Sequence, residues 1–289
     1  MKKSNILILS ILIAVLFTAC NGKKQTYDIG YRLEPGKTYS QTMKIDADMT
    51  MLMMGQTIDI STKVNVTYSF HIKDTLNGEI NADMSFNAIE MEMSSPVGSY
   101  SISTEKESTS ANGLMPVDLS PMLKAMKNSS FSVVLTKRGE VKSMVGYDQM
   151  IDNIIASMGF SQAEALEMKT NLQGTMSEET IKDQMKNIAI YPDSPVKEGD
   201  SWEMNFNIQD METVTTYTLK SVTDSEATIV GKSEIKANQN GVSIKGNQTV
   251  TLIVDLNSGW IKSGEGEQTL KGSDRGSKIE TSTKLTYSE

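Results

Sequence analysis

A single Cys and a single His in 289 residues exclude several kinds of chemistry at once. One Cys forbids an intramolecular disulfide. One His leaves no room for a multi-His metal centre or for most His-based triads. Only two Trp are present, a thin basis for the aromatic platforms of a carbohydrate cleft. Basic residues are also in short supply, 28 Lys and Arg against 36 Asp and Glu, a formal charge of −8. That balance opposes nucleic acid and anionic membrane faces by electrostatics alone, and no nucleic-acid partner is expected. Long apolar runs are missing too. Ile6 to Phe17, interrupted by Ser10, falls short of the roughly 20 residues that span a bilayer.

That run has the form of a targeting segment. Lys2 and Lys3 precede it, and it ends in Leu16-Phe17-Thr18-Ala19-Cys20. The ending resembles a bacterial lipobox, in which small residues precede a Cys that becomes the lipidated first residue. Phe17 stands where Leu is usual, a mild departure. The resemblance implies a signal peptide at 1–19, lipidation of Cys20 and a polar tether at 20–27. The covalent lipid on Cys20 would then be the one attached group, with no other cofactor and no metal. Several acyl chains on one Cys hold a protein durably on a membrane. Asn21, Lys23 and Lys24 favour the outer membrane facing the periplasm, with the cell surface left open. Losing the first 19 residues removes two lysines and leaves a charge of −10.

The remaining chain, 28–289, reads as one β-rich unit. In Lys63 to Lys73, Val64, Val66, Tyr68, Phe70 and Ile72 alternate onto one face, and Asn77-Gly78 signals a hairpin back through Glu79 to Met93. Similar grammar returns late, with strands in Tyr217–Val222, Ala227–Ala237 and Thr249–Leu256. Pro35-Gly36-Lys37-Thr38-Tyr39 is similar to Glu198-Gly199-Asp200-Ser201-Trp202, and Gly139-Glu140-Val141 to Gly259-Trp260-Ile261, in the same order. This suggests repeats at about 28–147 and 190–289. The Ser-rich stretch 94–112 reads as a mobile loop. Helices are expected in the middle. Ser120-Pro121 starts one, Tyr147 to Met158 has helical spacing, Ser161 and Glu164 form a capping box, and Ser177 starts another. The fold class is mainly β, of α+β type. It is a large curled antiparallel sheet or sandwich with a central helical segment, about 147–189, packed on one face.

No catalytic constellation stands out, and the expectation is a protein that is not an enzyme. Methionine is the one abundant oddity, at 20 residues. Met49, Met51 and Met53 share a strand face, and Met84 and Met91 lie on what reads as a neighbouring strand. Three readings stand: ordinary core, soft thioether ligands for Cu(I), and a pliable pocket for an apolar ligand. In the pocket reading, Met49, Met51, Met53, Met84, Met91, Ile151 and Ile155 are the candidate lining. His71 falls on the polar face with nothing in the sequence to pair it. Asp46, Asp48 and Asp59 read as scattered surface acids. Asp255-Leu256-Asn257-Ser258-Gly259 faintly resembles a calcium loop, but Gly266 stands where the bidentate acid belongs, so a hairpin turn is expected.

Tyr191-Pro192, with Pro195-Val196-Lys197-Glu198-Gly199-Asp200-Ser201-Trp202, resembles the mid-chain signature of uncharacterised lipoproteins of the Bacteroidetes type. Phe131 to Leu135, running to Gly139-Glu140-Val141 and Gly146, is similar to another part of that family. The resemblance covers most of 28–289 and implies no activity. By fold-level analogy with periplasmic carriers that hold acyl chains in a curled sheet, it suggests a membrane-tethered protein binding an apolar ligand. The alternative is a structural lipoprotein whose partner is another envelope protein.

Overall fold

The computed structural model describes residues 25–53, 55–107, 109–111, 120–173, 177–185, 190–208, 211–239, 242–274 and 277–289. Cys20 and the apolar run 6–17 lie outside them. Thirteen strands are described: β1 (Thr38–Met53), β2 (Gln56–Leu76), β3 (Glu79–Ser95), β4 (Gly98–Ser103), β5 (Thr109–Ala111), β6 (Ser130–Thr136), β7 (Val141–Val145), β8 (Ser201–Ile208), β9 (Met211–Val222), β10 (Glu226–Gln239), β11 (Val242–Asp255), β12 (Ile261–Asp274) and β13 (Ser277–Ser288). Four helices join them: α1 (Ser120–Lys127), α2 (Tyr147–Ser157), α3 (Gln162–Gln173) and α4 (Glu178–Met185).

All strands belong to one antiparallel sheet that does not close. Its order is β5-β4-β3-β2-β1-β13-β12-β11-β10-β9-β8, with β6 also on β3 and β7 on β6. The sequence-distant pair β1–β13 joins the two halves over eleven residue pairs, from Thr42 opposite Ser288 to Leu52 opposite Lys278. Asn77 and Gly78 take positive φ, 54° and 81°, the primed turn that lets β2 fold back as β3. One expectation is corrected. The Ser-rich stretch is not a loop throughout, because Tyr100 and Ile102 alternate inward and pair β4 with Met93 and Met91 of β3.

Alternation, interrupted at a few bulges, gives the sheet two unlike faces. Glycines on the inner face allow a tight curl. A Cβ at Gly264 would lie 2.6 Å from Leu252 Cδ2, and one at Gly231 would lie 2.7 Å from the Tyr217 ring. Larger neighbours therefore fill the space over these glycines. The helices lie against β3, β4, β6, β7 and β8. Within them, α4 touches both β7 and β8, strands at opposite margins of the curl. The capping box expected for α3 is present: Ser161 N–H donates to Glu164 Oε2 (2.8 Å) and Glu164 N–H to Ser161 Oγ (3.4 Å).

The core sits at the end of the curl where β1 begins. There Ile72, Leu219, Ile229 and Val254 are fully buried, together with Ile151 and Ile155 of α2. Trp260 packs between Tyr31, Tyr39 and Phe70 at ring-centroid distances of 6.0, 5.4 and 6.0 Å. A strap, 27–33, closes this end. Tyr31 N–H donates to the Lys137 carbonyl and Arg32 N–H to the Ser258 carbonyl, both at 2.7 Å. The two glycine turns that resemble each other in sequence also bond alike. Gly36 N–H donates to Ile72 O, and Gly199 N–H to Leu219 O, both at 2.8 Å. Gly36 has φ 80° and Gly199 φ 91°.

Candidate functional site: the inner face of the sheet

The registers of β10, β11, β12, β13, β1 and β2 lay out the inner face as rows. The row nearest the far end, away from the core, runs Ala237, Ile244, Gly272, Ile279, Met51, Ile58. The next runs Ile235, Gly246, Leu270, Thr281, Met49, Ile60. A third runs Ser233, Gln248, Gln268, Thr283, Ala47, Thr62 and is polar. Two more apolar rows follow, containing Val250 with Leu285 and Leu252 with Tyr287, before the core begins. None of these five rows holds a charged side chain. Charge is confined to the other face, as in the row Lys236, Lys245, Lys271, Glu280, Thr50, Asp59, where Lys271 pairs with Glu280 at 2.6 Å.

Burial changes along this one face. Leu252 is 3% exposed and Ile229 fully buried near the core. Met49, Met51, Ile58, Ile60, Ile244, Leu270 and Ile279, toward the far end, are only half-buried. None of these seven packs against either hydrophobic cluster of the protein. Among the described residues, no helix makes more than marginal contact with β1, β2 or β9–β13. Apart from Ile235, which is buried, the far half of the inner face is thus an uncharged apolar surface that the chain's own core leaves half-covered.

The seven residues singled out by sequence do not converge. Met84 is buried in the core beside Phe131, and Ile151 and Ile155 pack there from α2. Met91 packs in a satellite cluster under α1 with Tyr100, Ile102 and Leu123, where the Tyr100 hydroxyl donates to its sulfur (3.3 Å). Met49 and Met51 alone reach the half-covered surface. Met53 ends β1, and its side chain lies outside the description. β1 and β3 are not neighbours, since β2 lies between them. Ile58, Ile60, Ile244, Leu270 and Ile279 share that surface and were not singled out by sequence. For Ile279 the available signal was the unbroken alternation of 278–285, and for Ile58 and Ile60 their alternation with Thr57 and Asp59.

The core itself offers no room. The gap among Tyr31, Gln41, Tyr68, Phe70 and Trp260 is about 10 Å³, at most a single water. Within it, Tyr68 donates to Gln41 Oε1 and Gln41 Nε2 donates to the Ile261 carbonyl, both at 2.9 Å. Burial pushes the Tyr31, Tyr68 and Tyr191 phenols well up. Among the described residues the Tyr147 hydroxyl has no partner, and its pKa is pushed up to about 12, first by burial and then by Asp148.

On the outer face, Ser132 donates to Asp83 (2.6 Å), and Lys73 donates to both (2.8 and 2.9 Å). The hydrogen bonds from Lys73 and Ser132 hold the Asp83 carboxyl below its usual range, which makes it a poor base for the serine. His71, exposed on that face, meets Thr38 Oγ1 at 3.1 Å. Asp255 Oδ1 accepts from the N–H groups of Asn257 (2.6 Å) and Ser258 (2.8 Å), and Gly259 has φ 70°, so this segment is a turn. Among the described residues, no three His, Cys, Asp or Glu side chains group as metal ligands. No described helix is long and apolar enough to cross a membrane.

The sequence pattern of a family of unknown function, DUF6263, matches residues 77–261. No curated protein matches the chain. Among solved structures, lipovitellin, described for its lipid–protein interactions, is similar with a TM-score of 0.51 at 10% identity. The match covers 87% of this chain and 25% of that one, so the likeness is one of fold to a quarter of a longer protein. The translocator domain of the autotransporter NalP from Neisseria meningitidis aligns with a TM-score of 0.25 and 6% identity, over 99% and 96% of the two chains. An outer membrane channel from Pseudomonas putida F1 aligns with a TM-score of 0.26 and 8% identity, over 89% and 97%.

Proposed function

The chain belongs to the DUF6263 family of unknown function, and from that premise we propose that it is a non-enzymatic binding protein, lipid-anchored through Cys20, that holds an apolar ligand on the far half of its inner face. One observation carries the reading. Seven half-buried apolar side chains from five strands line an uncharged concave face and belong to neither core. A continuous apolar surface of this kind marks a binding site more often than idle surface. Methionine at 49 and 51 suits a pliable lining that adapts to a flexible chain. Lipovitellin, whose structure concerns lipid–protein interactions, supports the reading at the level of fold alone. The lipobox-like segment supports an outer-membrane, periplasm-facing location.

The test is photo-crosslinking in intact cells with the full chain. Benzoylphenylalanine replaces Met51, on the inner face, or Thr50, on the outer face of the same strand. The expected result is a lipid-mass adduct at 51 and none at 50. A bare protein at both positions refutes the reading. A protein adduct at 51 instead supports the alternative, an envelope interaction protein without a small-molecule ligand.

A further inference from the structure

The polar row across the inner face makes the ligand more specific, and this step rests on the binding reading above. Gln248 and Gln268 stand directly opposite each other on β11 and β12, half-buried, between two apolar zones. Their neighbours Thr215 and Ser233 satisfy each other at 2.7 Å. Neither glutamine side chain hydrogen-bonds to any described residue, although each carries two donors and an acceptor. In the ligand-free protein these half-buried amides still reach solvent. A purely apolar ligand laid over them would strip that water and leave them unpaired, a cost that a leucine there would not carry. A ligand polar group lying on this row would avoid that cost.

The chemistry of that group follows from what the trough lacks. No Lys or Arg on the five rows could neutralise a carboxylate or phosphate, and a buried unpaired charge is far costlier than a buried dipole. Amide N–H groups do suit ester carbonyls, which accept and carry no charge. The length agrees. From Gln248 to Val242 at the far end, β11 runs six residues, roughly 20 Å at about 3.4 Å per residue. One leaflet of acyl chain is about 15 Å, half of a hydrocarbon core of about 30 Å. We infer that the site takes a neutral acyl-ester lipid, with its ester carbonyls on Gln248 and Gln268 and its chains laid over Met49, Met51 and Leu270 toward the far end.

The experiment uses the full chain with benzoylphenylalanine at position 51, reconstituted in phosphatidylcholine vesicles. Four alkyne-tagged tracers of equal chain length are added separately: a diacylglycerol, a free fatty acid, a phosphatidylglycerol and a plain hydrocarbon. Diacylglycerol should label about tenfold more than hydrocarbon, equivalent to about 1.4 kcal/mol and within the range of one net hydrogen bond. The pair Gln248→Leu with Gln268→Leu should lose that preference and keep hydrocarbon labelling, which also reports an intact site. The single Gln268→Met serves the same purpose should the pair fold poorly. Equal labelling by diacylglycerol and hydrocarbon, a preference that survives in the leucine pair, or preference for the fatty acid or phosphatidylglycerol overturns this inference and leaves apolar binding standing. Absence of labelling by all four tracers overturns both readings.

Discussion

Gly259→Ala tests the closure of the core end, because the structure gives that position two separable penalties. The first is conformational. Gly259 has φ 70°, where an L-residue costs roughly 1–2 kcal/mol. The second is steric. A Cβ would stand 2.1 Å from the Gly30 carbonyl oxygen and 2.9 Å from Tyr31 Cα, so the strap itself must move. Moving it endangers the bonds from Arg32 N–H to Ser258 O and from Tyr31 N–H to Lys137 O, and the one from the Tyr191 hydroxyl to the Gly259 carbonyl. At about 1 kcal/mol net each, losing two brings the total to roughly 3–4 kcal/mol. Gly36→Ala is the control. Its φ is 80° and nothing lies within 4 Å of its Cβ, so only the conformational penalty applies. Thermal unfolding at about 2–4 °C per kcal/mol should lower the melting temperature by roughly 10 °C for Gly259→Ala and by roughly 3 °C for Gly36→Ala. Equal shifts would refute the claim that the strap is locked by contact at this turn.

Two further outcomes follow from ionisation. Asp28 and Asp83 are held below the ordinary aspartate value, first by hydrogen bonds from Lys137 and Lys73. A depressed folded pKa gives stability that is present above the unfolded value of about 3.9 and lost as pH falls through the folded value. The melting temperature should therefore stay level from about pH 8 to 5 and fall below about pH 4. Both pairs are partly exposed, so high salt should shrink that fall, and a salt-insensitive drop would count against these pairs. At the alkaline end, burial raises the phenols of Tyr31, Tyr68, Tyr191 and Tyr217. Stability from them is complete below the unfolded value of about 10 and is lost as pH rises beyond it. A tyrosinate absorbance titration of the nine tyrosines should show a late step coincident with unfolding. A single smooth titration near pH 10 would contradict the burial.

Local signals in the sequence were reliable where one stretch of chain decides the outcome. The alternation from Val64 to Ile72, the Asn77-Gly78 turn and the box at Ser161 depend on neighbours within a few residues, and each is present. Parity fails where a strand carries an extra residue. Met84 and Met91 are an odd number apart, yet both face inward, because Thr67 pairs with Ala88 and Tyr68 with Phe86, leaving Asn87 as a bulge. The row of Gln248 and Gln268 was illegible for a different reason. Gln248 meets Gln268 across the β11–β12 hairpin, where a register shift between Ile253 and Val254 upsets the count from the turn, and the row reaches Ala47 only through the non-local β1–β13 register. The candidate Met set mixed the two cases: Met49 and Met51 lie on the half-covered surface, whereas Met84 packs in the core.

The far half of the sheet also bears on why the chain retains such long strands. β2 extends 21 residues, whereas the main core uses it only from Tyr68 onward and the satellite cluster adds Val66. The remainder adds ladder hydrogen bonds and, for each residue, a backbone ordering cost of about 1–2 kcal/mol. Burial of apolar surface normally offsets that cost, at about 25 cal/mol per Å². Met49, Met51, Ile58 and Ile60 are only half-buried, so the folded chain alone recovers part of what full burial would supply. Glycine at 246 and 272 adds no apolar side chain of its own, and Leu270 leans over the first, Ile244 and Val242 over the second. A bound acyl chain would complete the burial. The far strands should then exchange amide hydrogens faster than the core strands in the ligand-free protein and slow selectively when the diacylglycerol tracer binds, with Phe70 to Ile72 and Leu219 unchanged. Uniform slowing across the sheet would place the bound lipid elsewhere.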